Sequence, residues 1–161
     1  LIRSVKKCAA NILLDIYGPV KDTNYWEACK TEMKQAPDNI RFNYKGDILP
    51  NKVQETIQRY DAMILLTKGE NFGHALFESL SVGRPVITSH FTPWNQLTEK
   101  KAGWNVDIDN EKSVTELLDR LAVLCDEEWE GYCKGAHQLA TTYFENADFV
   151  NGYRRMFEGS L

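Results

Sequence analysis

Apolar and polar positions change period several times along the chain, and each change marks an element. From Asn11 to Gly18, "NILLDIYG" is a short apolar run closed by Gly18-Pro19, which predicts a strand ending in a turn. A helical segment follows over Tyr25 to Gln35. In "NIRFNYKG", Ile40, Phe42 and Tyr44 then alternate with polar neighbours at period two, as a strand does. Pro50 to Tyr60 reads as a helix with proline in its first turn. "DAMILLT", Asp61 to Thr67, is apolar on both faces, a property of central strands in parallel sheets. It is therefore expected in the middle of the sheet, as its most buried strand. Gly73 to Val82 reads as a helix, "RPVITS" as a short strand and "GWNVD" from Gly103 as another. In the carboxyl third, Val114, Leu117, Leu118, Leu121, Leu124 and Cys125 recur at helical spacing. Trp129 to Tyr143 and Phe149 to Phe157 continue as helices.

Strands alternating with helices at this spacing predict an α/β fold with a doubly wound, mainly parallel sheet and a helical carboxyl third, as one domain over residues 1–161. At 161 residues a core needs no disulfide or metal support. The cysteines, Cys8, Cys29, Cys125 and Cys133, form no Cys-x-x-Cys pair, so they read as reduced, mostly buried thiols of a cytoplasmic protein. A net charge of −4 gives no electrostatic reason to expect nucleic acid as a partner. The longest apolar runs fall well short of the roughly 20 residues that cross a bilayer, and no signal peptide is evident. The opening "LIRSVKKCAA" lacks methionine and reads as the middle of a helix feeding a strand, which predicts a piece of a longer protein.

Parallel sheets of this kind bind ligands at the carboxyl ends of their strands. Directly after "DAMILL" comes "TKGENFGHALFESLSVGRPVI", with Glu70 and Glu78 on either side of a Phe-Gly turn. On a helix starting near Gly73, residues His74, Glu78 and Ser81 share one stripe, and the plain reading of that stripe is a solvated face. Glu70 alone reads as a loop acid. The glycines at 69 and 73 alter this picture. Free amides at a helix start, together with its dipole, make an anion site that needs no basic side chain. Two carboxylates would repel a lone phosphate, so a ligand that also carries hydroxyl groups fits better, as a nucleotide sugar does.

Thr67, Glu70, Phe72-Gly73, Glu78, Gly83 and Pro85-Val86-Ile87 resemble the motif of retaining GT-B glycosyltransferases of the large sucrose-synthase and mannosyltransferase-like group. More weakly, "NILLDIYGP", "FNYKGDI" and Gly103 resemble that family's flanking segments. The resemblance implies the carboxyl-terminal, donor-binding domain, with an amino-terminal acceptor domain absent from these residues. It implies that Glu78 accepts from the ribose hydroxyls and that Glu70, the catalytic candidate, holds a donor-sugar hydroxyl near the reacting carbon. Amides of Phe72, Gly73 and His74 would hold the sugar and β-phosphate, with Thr67 near the phosphates. Gly46, Asp47, Ile48 and Leu49 would line the base. The donor would be UDP- or GDP-linked, the acceptor a glycan or lipid-linked molecule, and no further cofactor is implied. The family leaves open peripheral association with the inner face of a membrane. Amides preorganised at a helix start stabilise the leaving diphosphate and can stand in for a metal, so no required divalent cation is expected.

The chain departs from the family in two places. The Arg and Lys that usually reach the pyrophosphate have no counterpart; Arg3, Lys6 and Lys7 read as helix surface. "TPWNQL" has Gln96 where many relatives carry an acid, and Trp94 reads as core. His90 and His137 read as surface. A receiver domain would need acids where Gly18-Pro19 and Lys68 stand, and a dinucleotide oxidoreductase would need Gly-x-Gly-x-x-Gly where "YGPVKD" stands. The alternative that stays open is a catalytically silent nucleotide-sugar-binding or partner-binding module of the same fold.

Overall fold

The computed structural model describes residues 1–146. In chain order the elements are α1 (Ile2–Val5), β1 (Ile12–Tyr17), α2 (Thr23–Lys34), β2 (Ile40–Gly46), a 3-10 turn (Pro50–Lys52) running into α3 (Val53–Ile57), β3 (Met63–Leu65), α4 (His74–Ser81), β4 (Val86–Ser89), β5 (Gly103–Val106), α5 (Glu111–Leu121) and α6 (Asp126–Asn146). Local chemistry sets several starts. The Asp22 carboxylate accepts from the Tyr25 amide at 2.9 Å to cap α2, and Asn110 does the same for Lys112 at 3.1 Å in α5. The helix expected at 149–157 lies outside the described residues.

Among the described residues all pairing is parallel, in two sheets. β1 pairs with β2 from Ile12↔Ile40 to Tyr17↔Gly46, with a register shift between Ile16 and Tyr17. β4 lies between β3 and β5. This corrects the expected place of "DAMILLT". β3 is only three residues long and half-buried, whereas β4 is buried along its whole length and is central in its sheet. The physical reason is coverage. Val86 packs into a core with Leu76, Leu80, Ala136 and Ala140 of α4 and α6, while Ile87 faces a second core with Trp104, Val114 and Leu117. Helices thus cover both faces of β4, and its period-two alternation feeds both layers. The helix expected over Pro50 to Tyr60 is also shorter: it opens as a 3-10 turn and stops at Ile57.

No ladder joins β1 to β3. Side chains and α1 make the connection instead. Tyr60, just before β3, donates its hydroxyl to Asp15 of β1 at 2.7 Å. α1 packs on α5: Thr115 donates to the Ser4 carbonyl at 2.8 Å, and Asp119 accepts from the amides of Ala9 and Ala10 at 2.8 and 2.9 Å. The four cysteines are free thiols, but only Cys8 is buried; Cys29 and Cys133 are half-buried and Cys125 is exposed on the surface, against the expectation of mostly buried thiols. Burial pushes the Cys8 thiol up to about 11, with the nearby Asp119 charge adding to it. No helix among the described residues is long and apolar enough to cross a membrane.

Candidate functional site

The segment from Thr67 to Gly73 leaves the carboxyl end of β3 and enters α4. Its shape is held from beneath by the next strand. Ser89, fully buried at the end of β4, donates to the Thr67 carbonyl at 2.6 Å, and the Glu70 amide donates to the Phe91 carbonyl at 3.2 Å. Thr67 closes its own turn: its hydroxyl lies 2.7 Å from the Gly69 carbonyl and 3.2 Å from the Gly69 amide. Its side chain shapes the loop from within it.

Gly73 is the hinge into α4. Its φ of 78° and ψ of 61° are left-handed, a conformation that costs an L-residue roughly 1–2 kcal/mol. A Cβ there would stand 3.0 Å from Leu76 Cδ1, 3.2 Å from Glu70 Cγ and 3.4 Å from Trp94 Nε1. Glycine therefore lets the Glu70 side chain lie against the mouth of the helix. The first backbone bond of α4 runs from the Phe77 amide to the Gly73 carbonyl at 3.0 Å, and no side chain caps the turn. Among the described residues the amides of Phe72, Gly73 and His74 meet no acceptor. Glu70 and Glu78 are both half-buried, and neither carboxylate has a described hydrogen-bond or ion-pair partner. An uncapped amide turn flanked by two carboxylates without a described partner in the fold suits a ligand with both anionic and hydroxyl groups.

The other expected residues lie elsewhere on the fold. Gly46 ends β2 with φ 73°, and its carbonyl accepts from Gly18 at 3.0 Å. Asp47 and Leu49 are exposed and Ile48 is half-buried. No hydrogen bond or ring contact among the described residues joins this turn to the Glu70 loop. His74 is exposed, with its ring 4.9 Å from Phe72. Two surface clefts, one lined by Gly83, Arg84, Cys133 and His137 and one by Trp104, Asp107, Glu116 and Arg120, include neither glutamate. Arg3, Lys6 and Lys7 are engaged with carboxylates: Lys6 meets Glu32 at 2.8 Å and Lys7 meets Glu111 at 2.6 Å, while Arg3 approaches Glu111 at 3.7 Å.

Sequence reasoning missed two features, one beside the site and one away from it. Trp94, 5% exposed as its core reading requires, donates its ring N–H to the Phe72 carbonyl and packs with Phe72, Phe77 and Tyr143 of α6. α6 therefore packs against the residues around the site. The second is Asp15, whose side chain is 7% exposed and is met by Tyr60 at 2.7 Å, Asn43 at 2.7 Å and Lys45 at 3.4 Å. Burial would raise its pKa, but the hydrogen bonds from Tyr60, Asn43 and Lys45, with the Lys45 charge, outweigh burial and hold it below the usual aspartate value. Burial, then the Tyr17 and Asp15 contacts, push the Tyr60 phenol well above its ordinary value. An acid inside "NILLDIY" is the signal that was available, because a carboxylate in an apolar strand needs donors.

Residues 1–128 match the family described as glycosyl transferases group 1. A comparison with curated protein sequences finds no match. Among solved structures, Anabaena HepE in complex with UDP and glucose is similar at TM-score 0.78 and 14% identity, covering 99% of this chain and 44% of HepE. Sucrose-phosphate synthase from Thermosynechococcus elongatus is similar at TM-score 0.74 and 15% identity, covering 99% of this chain and 42% of that one. The catalytic domain of cholesterol-alpha-glucosyltransferase from Helicobacter pylori is similar at 0.69 and 15%, covering 88% and 87%. These likenesses show the Rossmann-like fold, and the chain spans less than half the length of the first two proteins.

Proposed function

Because the chain belongs to the group 1 glycosyl transferases, we propose that it is the donor-binding domain of a retaining enzyme that moves a sugar from a UDP- or GDP-linked donor to a glycan or lipid-linked acceptor. The observation that carries this reading is the uncapped, left-handed Gly73 turn with the Glu70 side chain packed against it. The diphosphate sits at the start of α4, facing the amides of Phe72, Gly73 and His74. As the glycosidic bond breaks, the departing nucleoside diphosphate gains negative charge, and amides already fixed in place stabilise it without reorganising. Glu70 holds a sugar hydroxyl and so orients the reacting carbon. Glu78, one helical turn further on, accepts from the ribose. The turn Gly46 to Leu49 takes the base, chiefly through its main chain, and Thr67 keeps the loop in shape near the phosphates. The acceptor site, and any peripheral contact with a membrane, belong to parts of the protein beyond these residues.

Calorimetric titration with UDP, GDP and their glucose and mannose conjugates tests the reading. Binding of one base series is expected, weakened in Glu70→Gln and Glu78→Gln variants whose melting temperature is unchanged. The absence of binding to all of them would favour the silent partner-binding module.

A further inference from the structure

The loop after β4 breaks the ordinary inside-outside rule next to Glu70. Thr92 is 4% exposed, with its hydroxyl 3.5 Å from the Ser89 carbonyl and 3.4 Å from the Trp94 carbonyl, whereas Phe91 beside it is 56% exposed. A single exposed apolar side chain is common and means nothing alone. Here the polar residue is turned in and the aromatic one out, and such local inversions are expected at functional positions. The Phe91 backbone is also fixed from both sides. Its amide donates to Ser89 Oγ at 3.2 Å and its carbonyl accepts from the Glu70 amide at 3.2 Å, while Ser89 itself ties down Thr67. The Phe91 backbone is therefore tied to the loop that carries Glu70, and its side chain stands exposed there.

We infer that Phe91 is a specificity-determining residue of the donor site, its ring forming the apolar floor against which one face of the donor's hexose ring stacks; this rests on the reading of the Glu70 turn proposed above. A hexopyranose presents C–H groups on its faces and hydroxyls around its rim. A carboxylate that takes rim hydroxyls and an adjacent aromatic face that takes the C–H groups are complementary halves of one sugar subsite. An aromatic ring on a fixed backbone loses little conformational freedom on binding, because only two side-chain torsions are ordered. The base and phosphates are served by other groups, so Phe91 acts on the sugar alone.

The experiment compares the affinities of UDP with UDP-glucose, and of GDP with GDP-mannose, in the parent protein and in Phe91→Ala and Phe91→Trp variants. In Phe91→Ala the nucleotide affinity should hold while the advantage of the nucleotide sugar over the nucleotide falls about five- to tenfold. Phe91→Trp should keep that advantage. An unchanged advantage in Phe91→Ala, or an equal loss for nucleotide and nucleotide sugar, overturns the inference and leaves the reading of the Glu70 turn intact. Failure of the parent to bind any of the four ligands overturns both.

Discussion

At the scale of residues, the two glutamates should separate by what they touch. Glu78→Gln is expected to weaken nucleoside diphosphate and nucleotide sugar alike, by about tenfold or more for a charge-assisted hydrogen bond. Glu70→Gln should weaken only the nucleotide sugar. Equal profiles for the two variants would show that the roles have been wrongly divided. Asp15 offers a test of stability. Its folded pKa is held below the ordinary value, so the stability it contributes is complete above the usual aspartate range near 3.8 and is lost as pH falls through the folded value. Asp15→Asn should therefore be less stable than the parent at pH 7, by about 1–3 kcal/mol, with the gap closing below about pH 4 in urea titrations. A gap that stays constant down to pH 2.5 would mean that the carboxylate is not what the network needs. Glu70 and Glu78 could be singled out as candidates because they lie in one short motif. The partners of Asp15 were not, because they come from positions 43, 45 and 60, and no local spacing encodes that meeting.

At the scale of elements, the sequence disclosed where strands and helices fall but not which strand is central. The period of "DAMILLT" reports that both faces are apolar, and Met63 and Leu65 do touch one core while Ile64 and Leu66 touch the other. What periodicity leaves out is how many neighbours a strand has, and β4, a four-residue strand, has the fuller cover. Glycine chemistry shows the difference between local and tertiary constraint. At Gly73 an alanine must adopt a left-handed backbone beside Leu76 Cδ1, a movable side-chain atom, so Gly73→Ala should lower stability by about 1–2 kcal/mol and shift Tm by several degrees. At Gly103 the added Cβ would stand 2.0 Å from the Val86 carbonyl oxygen and 2.7 Å from its nitrogen, so β4 and β5 must part. Gly103→Ala should cost more, about 3 kcal/mol or above, with loss of cooperativity on unfolding. Urea denaturation of both variants measures the order, and a milder effect at Gly103 would contradict the close approach.

At the scale of the molecule, the site is one cluster. The Gly73 turn, the two glutamates, Trp94, Tyr143 and the exposed Phe91 all gather around the start of α4. Binding needs only that cluster. Transfer needs more, since the donor carbon and the acceptor must be aligned and water kept from the reacting bond, and alignment of that kind is worth roughly 7–11 kcal/mol of barrier in favourable cases. The 161 residues are therefore expected to bind a nucleotide sugar weakly and to transfer no sugar. Charge neutralisation by amides at the start of α4 further leads us to propose that this binding survives EDTA; the Asp-x-Asp of the sequence, Asp107-Ile108-Asp109, lies after β5, where Asp107 accepts from the Asp109 amide at 3.0 Å. Calorimetry with and without chelator, followed by a product assay on the same samples, checks both statements. Binding that vanishes with EDTA and returns with magnesium would place a cation between protein and diphosphate. Robust transfer by these residues alone would mean that the reacting geometry is already complete around the start of α4, and the division of labour between binding and transfer would have to be abandoned.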